Sequence, residues 1–238
     1  MKQLKPRVLK REARIKMQGN YGALVTAALI VFGCTFLLNI VLTLLAPAST
    51  TLLSALLYLA GFLIVNTLYN VLSAGVSRLY LNLATDQPFS LRDLFYAFST
   101  HPEPIAVYSA VSLAAEAGVL YVILILLAYG ARHLGFQLLI LLMLAALLVF
   151  LWFVLTFSCF LFLHARDPRK SAKELFRDCI HLMKGHRLAL FWLSLTFFGV
   201  LVLCILSFGI GLLFAMPYMQ ITTTLFYERI AEMEEKEK

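Results

Sequence analysis

Charge is what this sequence most conspicuously lacks. No Asp, Glu, Lys or Arg occurs between Lys16 and Arg78, between Arg132 and Arg166, or between Arg187 and Glu228. Each gap exceeds the roughly 20 apolar residues that cross a bilayer. Of the 238 residues only 14% are charged and 61% are hydrophobic, whereas soluble domains run about 25% charged and about 45–50% apolar. An ordinary soluble core is thereby excluded. Cysteine is scarce too. Cys34, Cys159 and Cys204 fall within apolar segments, Cys179 falls in a polar loop, and there is no CxxC pair. That pattern reads as small packing groups rather than a disulfide or metal framework. Catalytic signatures are missing as well: no GxSxG, HExxH or GxxxxGK[ST] occurs, and no paired carboxylates. His181 and His186 are five apart, the wrong spacing for two metal ligands on one helix face. His101, His133 and His164 stand alone near the ends of apolar stretches. No catalytic residue, metal ligand or cofactor is expected, and an intramembrane enzyme is disfavoured.

What is present is a skewed set of basic residues. Six apolar spans fit the charge-free gaps: about Tyr21–Leu45, Thr51–Leu81, Ile105–Tyr129, Leu134–Leu163, Leu188–Leu206 and Ile210–Tyr227. Under this layout Arg132 alone of the 20 lysines and arginines falls in an outside loop. Basic residues favour the cytoplasmic side, so both termini are expected in the cytoplasm of a multi-pass plasma-membrane protein. The net charge of +7 lies next to apolar spans, which points to anionic lipid headgroups as the counter-charge and away from nucleic acid. Ala46-Pro47-Ala48 imitates a signal-peptidase site, but the apolar stretch before it is about twice a usual signal core; it reads as a retained first helix. Ala46 to Thr50, Arg132-His133 and Ser207-Phe208-Gly209 are the expected outside turns.

A repeat is visible along the chain. Before spans one, three and five comes a short segment with helical patterning, then a polar joint: Gln18-Gly19-Asn20, Ser99-Thr100-His101 and Lys184-Gly185-His186. The joints are spaced by 81 and 85 residues. The expected fold is therefore all-α, a single integral membrane domain over 1–238. It contains six transmembrane helices as three hairpins, each preceded by a short cytoplasmic interfacial helix, in units of about 1–83, 84–164 and 165–238. In the third unit Asp167-Pro168 opens the segment and Ser171-Ala172-Lys173-Glu174 fits a capping box. Leu175, Phe176, Cys179, Ile180, Leu182 and Met183 then share one face. Lys173, Arg177, Lys184 and Arg187 carry positive charge near the other, the pattern of a helix lying among headgroups. An amphipathic connector packed on the bundle has the same pattern. Ser90-Leu91-Arg92-Asp93 similarly caps Leu94 to Phe98.

Several motifs are suggestive in order: Gly19-Asn20-Tyr21, Ser77-Arg78-Leu79-Tyr80-Leu81-Asn82-Leu83 leading to Leu94-Phe95, Leu182-Met183-Lys184-Gly185-His186, Gly209-Ile210-Gly211, Pro217-Tyr218 and Phe226-Tyr227-Glu228. Together they make the chain resemble the bacterial integral-membrane family called domain of unknown function 975. The resemblance implies a multi-pass bacterial plasma-membrane protein with no assigned reaction and no catalytic residues to carry over. The middle unit, with Pro102 and Pro104 at its joint, departs most from the pattern.

Glu116 is the most informative single residue. Near the middle of the third span, a carboxylate costs a few kcal/mol unless protonated, paired or hydrated. It shares a helix face with Ser109 and Ser112, while Ala106, Ala110, Ala114 and Gly118 form a small-residue seam on a different face. Such a helix is expected to be enclosed by neighbours. Span two carries Asn66, Asn70 and Ser73 at i, i+4 and i+7. Span six carries Gln220 and Thr222 to Thr224 after Pro217, which is expected to kink it. Convergence of Glu116, Ser112, Asn66, Asn70 and Gln220 on a polar cavity is one expectation; interhelical hydrogen bonding around a protonated Glu116 is the other. Two functions follow: a non-enzymatic membrane scaffold or assembly/envelope component, or a small permease or lipid-handling transporter built around Glu116.

Overall fold

The structure is a computed structural model and describes residues 5–44, 51–130, 135–206 and 211–237. The expected outside turns at Ala46–Thr50, Arg132-His133 and Ser207–Gly209 lie outside these residues. Every described element is helical. In chain order they are α1 (Pro6–Met17), α2 (Tyr21–Leu44), α3 (Leu52–Ala84), a 3-10 turn (Leu91–Phe95), α4 (Tyr96–Ser99), α5 (Glu103–Ile125), α6 (Phe136–Phe157), α7 (Phe160–Arg166), α8 (Ala172–Leu182), α9 (Arg187–Leu195), α10 (Phe198–Leu206) and α11 (Leu212–Glu237). α5 runs on as a π turn over Leu126–Gly130.

Five stretches are long and apolar enough to cross a membrane: Tyr21–Leu44, Leu52–Ala84, Glu103–Ala128, Gln137–Arg166 and Arg187–Leu206. Two of them are interrupted, at Ser158-Cys159 between α6 and α7 and at Thr196-Phe197 between α9 and α10. The sixth expected span falls in α11, which passes through Pro217 without a break and continues into a charged end.

Short helices precede α2, α5 and α9, and each joint carries a left-handed residue: Gly19 (φ 85°), His101 (φ 46°) and Gly185 (φ 83°). Glycine takes this conformation without the Cβ penalty; His101 takes it between Thr100 and Pro102. The middle short segment departs from the others in being a 3-10 turn followed by one α turn. Both capping boxes form: Ser90 N–H donates to Asp93 (3.0 Å) and Ser171 N–H donates to Glu174 (2.8 Å).

The buried core sits at the end of the bundle that carries the short helices. Leu9, Ala13 and Met17 of α1 are fully buried, as are Leu79 of α3, Leu94 and Leu175 of α8. Gly75 is what lets the 3-10 turn lie on α3: a Cβ there would run into the Leu94 backbone carbonyl. Arg78 donates to the Ala165 carbonyl at the end of α7 (2.5 Å), and Lys10 donates to the Thr196 carbonyl at the α9–α10 break (2.8 Å). Each supplies a positive charge where helix carbonyls lack partners. Four further pairs tie this end together: Glu12–Arg229 (2.7 Å), Lys16–Asp86 (2.5 Å), Arg166–Glu235 (2.7 Å) and His181–Glu234 (2.6 Å). Toward the other end packing thins, and leucines such as Leu52, Leu57, Leu120 and Leu148 are exposed.

Candidate functional site

Polar groups of the apolar spans meet between α2, α3 and α11. A cavity of 280 Å³ there is lined by Thr35, Tyr69, Ser73, Tyr80 and Gln220, with Phe32, Met216 and Pro217 among its apolar walls. A second cavity of 230 Å³ shares Tyr80, Met219 and Gln220 and extends to Ser77, Ser158 and Thr224. Among the described residues, both are lined by hydroxyl and amide groups and by no charged side chain. Tyr80 is 2% exposed and lines both spaces, and its hydroxyl makes no hydrogen bond among the described residues.

Of the five residues expected to converge, Gln220 lines this site, joined there by Ser73 and Thr224, and Glu116, Ser112, Asn66 and Asn70 do not. Asn70 donates to the side-chain oxygen of Asn66 (2.9 Å) and to its carbonyl (3.0 Å), a self-contained pair on α3. Ser112 donates to the Ser109 carbonyl (3.1 Å), and Ser109, fully buried, donates to the Ile105 carbonyl (2.8 Å). Thr222, Thr223 and Thr224 return their hydroxyl protons to carbonyls one turn earlier. This is the usual local satisfaction of a helical hydroxyl.

Glu116 is corrected most. It continues the line of Ser109 and Ser112, yet it is exposed and makes no hydrogen bond or ion pair among the described residues. The side of α5 that is buried at Ser109 is half-buried one turn further on, at Ser112 and Leu113, and uncovered at Glu116. The small-residue seam fares likewise: Ala106, Ala110, Ala114 and Gly118 are all exposed, and a Cβ on Gly118 would meet nothing within 4 Å. This chain therefore does not enclose the third span.

The basic residues assigned to headgroups divide. Lys173, Arg177 and Lys184 are exposed and form no ion pair among the described residues. Arg187 is half-buried and holds its guanidinium 4.7 Å from the Trp152 ring centroid. The apolar face of α8 rests on protein: Phe176 packs against Phe157 and Phe160 (5.2 and 4.9 Å between ring centroids), and Leu175 and Cys179 are fully buried. The apolar face of α8 is thus packed on the bundle, with its basic face outward. Hydrogen bonds from the Ser171 backbone and hydroxyl hold the Glu174 carboxyl below its ordinary range.

Sequence reading places Cys179 on the apolar face of the segment after Ser171 but gives it no partner, whereas in α8 its thiol lies against that of Cys159, and both are buried. The contact with Cys159 and burial push the Cys179 thiol up, so it stays protonated. Nothing in the spacing of 20 residues between them signals this, because it depends on α8 folding back on α7. Tyr80 also goes unnoticed in sequence, as an aromatic in an apolar span is usually packing.

A family model described as "Protein of unknown function (DUF975)" matches residues 4–234. No curated protein and no solved structure matches the chain.

Proposed function

The chain belongs to that family of unknown function, and from this premise we propose a non-enzymatic scaffold or assembly component of the bacterial plasma membrane. In this reading six spans cross the bilayer as three hairpins, with α11 supplying the sixth. The three short helices and both termini lie in the cytoplasm, and the units repeat at about 1–83, 84–164 and 165–238. The basic excess at the short-helix end supports that orientation.

One observation carries the scaffold reading: α5 leaves Glu116 and the seam Ala106, Ala110, Ala114 and Gly118 uncovered. Small-xxx-small seams let helices approach closely, and an uncovered carboxyl at this depth costs a few kcal/mol against acyl chains. Both features gain from a helix of another protein. A photo-crosslinking residue placed at Ala110 or Ala114 in native membranes is expected to give discrete protein adducts. Lipid adducts alone at both positions would overturn the reading.

The permease or lipid-handling alternative keeps one supporting observation, the uncharged cavity at Tyr80 and Gln220. It loses Glu116 as its centre. Flux that disappears in Glu116→Gln while the protein stays folded would restore it.

A further inference from the structure

The outward face of α1 carries Arg7, Lys10, Arg11 and Arg14 at i, i+3, i+4 and i+7, one side of a helix. The opposite side is the fully buried Leu9, Ala13 and Met17. The four bases line a cleft of 330 Å³ whose other walls are Ile15 and Tyr218. No carboxylate lines it among the described residues. The acid on α1 is spent elsewhere, Glu12 pairing with Arg229 at 2.7 Å. Nearby Asp86 pairs with Lys16 at 2.5 Å. Arg7, Lys10, Arg11 and Arg14 form no ion pair among the described residues. Lys10 is turned inward, donating to the Thr196 carbonyl (2.8 Å) and lying 4.4 Å from the Phe197 ring centroid. Burial and the neighbouring Arg14 charge lower its pKa, the mark of a cation crowded without a counter-charge.

Arg14 and Tyr218 also belong to a second space, of 480 Å³, which continues between α10 and α11 along Val200, Phe214 and Ala215. Among the described residues that line it, Arg14 is the only charged one. The two spaces thus adjoin at Arg14 and Tyr218, the Arg14 guanidinium lying 5.7 Å from the Tyr218 ring centroid, with the cationic side on α1 and an apolar run beside two helices of the bundle.

We propose that α1, α10 and α11 form a binding site for an anionic amphiphile. A phosphate- or carboxylate-bearing head sits among Arg7, Lys10, Arg11 and Arg14, with its chain along Val200, Phe214 and Ala215. The head satisfies the crowded cations and the chain covers the apolar run. This site is separate from the α5 surface and does not depend on the scaffold reading.

The test uses the full chain in phosphatidylcholine nanodiscs at low salt, titrated with short-chain phosphatidylglycerol, with glycerol 3-phosphate, and with phosphatidylcholine of the same chain length. Saturable binding of the phosphatidylglycerol is expected, with neither of the other two competing. Arg7 and Arg11 are exposed and make no hydrogen bond among the described residues, so Arg7→Gln/Arg11→Gln is expected to fold. It is expected to weaken binding about thirtyfold, at roughly 1 kcal/mol per basic residue. Arg92→Gln/Arg169→Gln removes the same charge from exposed positions elsewhere and is expected to leave binding unchanged. Equal losses in the two double variants would reduce the effect to general surface attraction and overturn the site. Glycerol 3-phosphate binding as tightly as the lipid would make it a site for free anions and overturn the role of the apolar run. If the double variant does not fold, Arg7→Gln is read against Arg92→Gln, with about fivefold weakening expected and no difference overturning the site.

Discussion

At the scale of single residues, the polar groups of the spans fall into two kinds. Most hydroxyls are satisfied within their own helix, as with Ser109 on Ile105 and Thr222 on Tyr218. This much is legible in sequence, since a Ser or Thr inside an apolar helix has the carbonyl one turn back within reach. The position of Glu116 is not. Periodicity gives the azimuth it shares with buried Ser109, but whether a neighbour closes over it depends on how far the packing extends along the axis. Glu116→Gln is expected to leave folding and the Ala110 and Ala114 adducts unchanged, because a carboxyl and an amide fill similar space and Glu116 makes no hydrogen bond or ion pair among the described residues. Loss of those adducts in that variant would assign the carboxylate itself a role. Gly75 makes the opposite prediction. A methyl group there meets the Leu94 carbonyl, so Gly75→Ala is expected to cost about 1–3 kcal/mol, measured as a fall in unfolding midpoint in detergent. An unchanged midpoint would mean the 3-10 turn is not held against α3.

At the scale of elements, the local rules written in the sequence do most of the work. Ser171 with Glu174 and Ser90 with Asp93 spell out both capping boxes, and both form. Gly19 and Gly185 mark left-handed joints. A Cβ at either would touch nothing within 4 Å, so the penalty of Gly19→Ala or Gly185→Ala is conformational alone, about 1–2 kcal/mol. Ser171→Ala is expected to cost about 1 kcal/mol. The cap also sets a pH dependence. The Glu174 pKa is depressed in the folded chain, so its contribution is present above the ordinary carboxylate range and disappears as pH falls through the lower, folded value. Amide exchange in α8 is therefore expected to accelerate on acidification, and in Glu174→Gln, which removes the titrating carboxyl that accepts from the Ser171 backbone, that acceleration is expected to vanish. An unaltered acid response would place its source outside the cap. The breaks at Ser158-Cys159 and Thr196-Phe197 leave no such sign in an otherwise apolar run, because the groups that satisfy the freed carbonyls, Lys10 at Thr196 among them, come from distant parts of the chain.

At the scale of the whole molecule, the apolar runs of the sequence predict the five long apolar stretches to within a few residues, the third despite the Glu116 inside it. The end at which the bundle is packed does not follow from hydropathy, since apolar residues in contact with protein and with lipid look alike. It emerges from pairings such as Glu12 with Arg229, 217 positions apart, which join α1 to α11. Replacing either partner is expected to loosen α1, and the coupling between Glu12→Gln and Arg229→Gln in a double-mutant cycle is expected at up to about 1 kcal/mol for a pair that is partly exposed. Additive effects would show that α1 is held by its buried Leu9, Ala13 and Met17 alone. The central claim is that the short helices, with their exposed basic faces, lie together on the cytoplasmic side of a multi-pass bundle. Single cysteines at Lys173, Arg132 and Lys236, in a background whose native cysteines are replaced, test it through labelling by a membrane-impermeant maleimide in intact cells. The account predicts labelling at 132 alone, with 173 and 236 reached only after the cells are opened. Labelling at 173 in intact cells would contradict it.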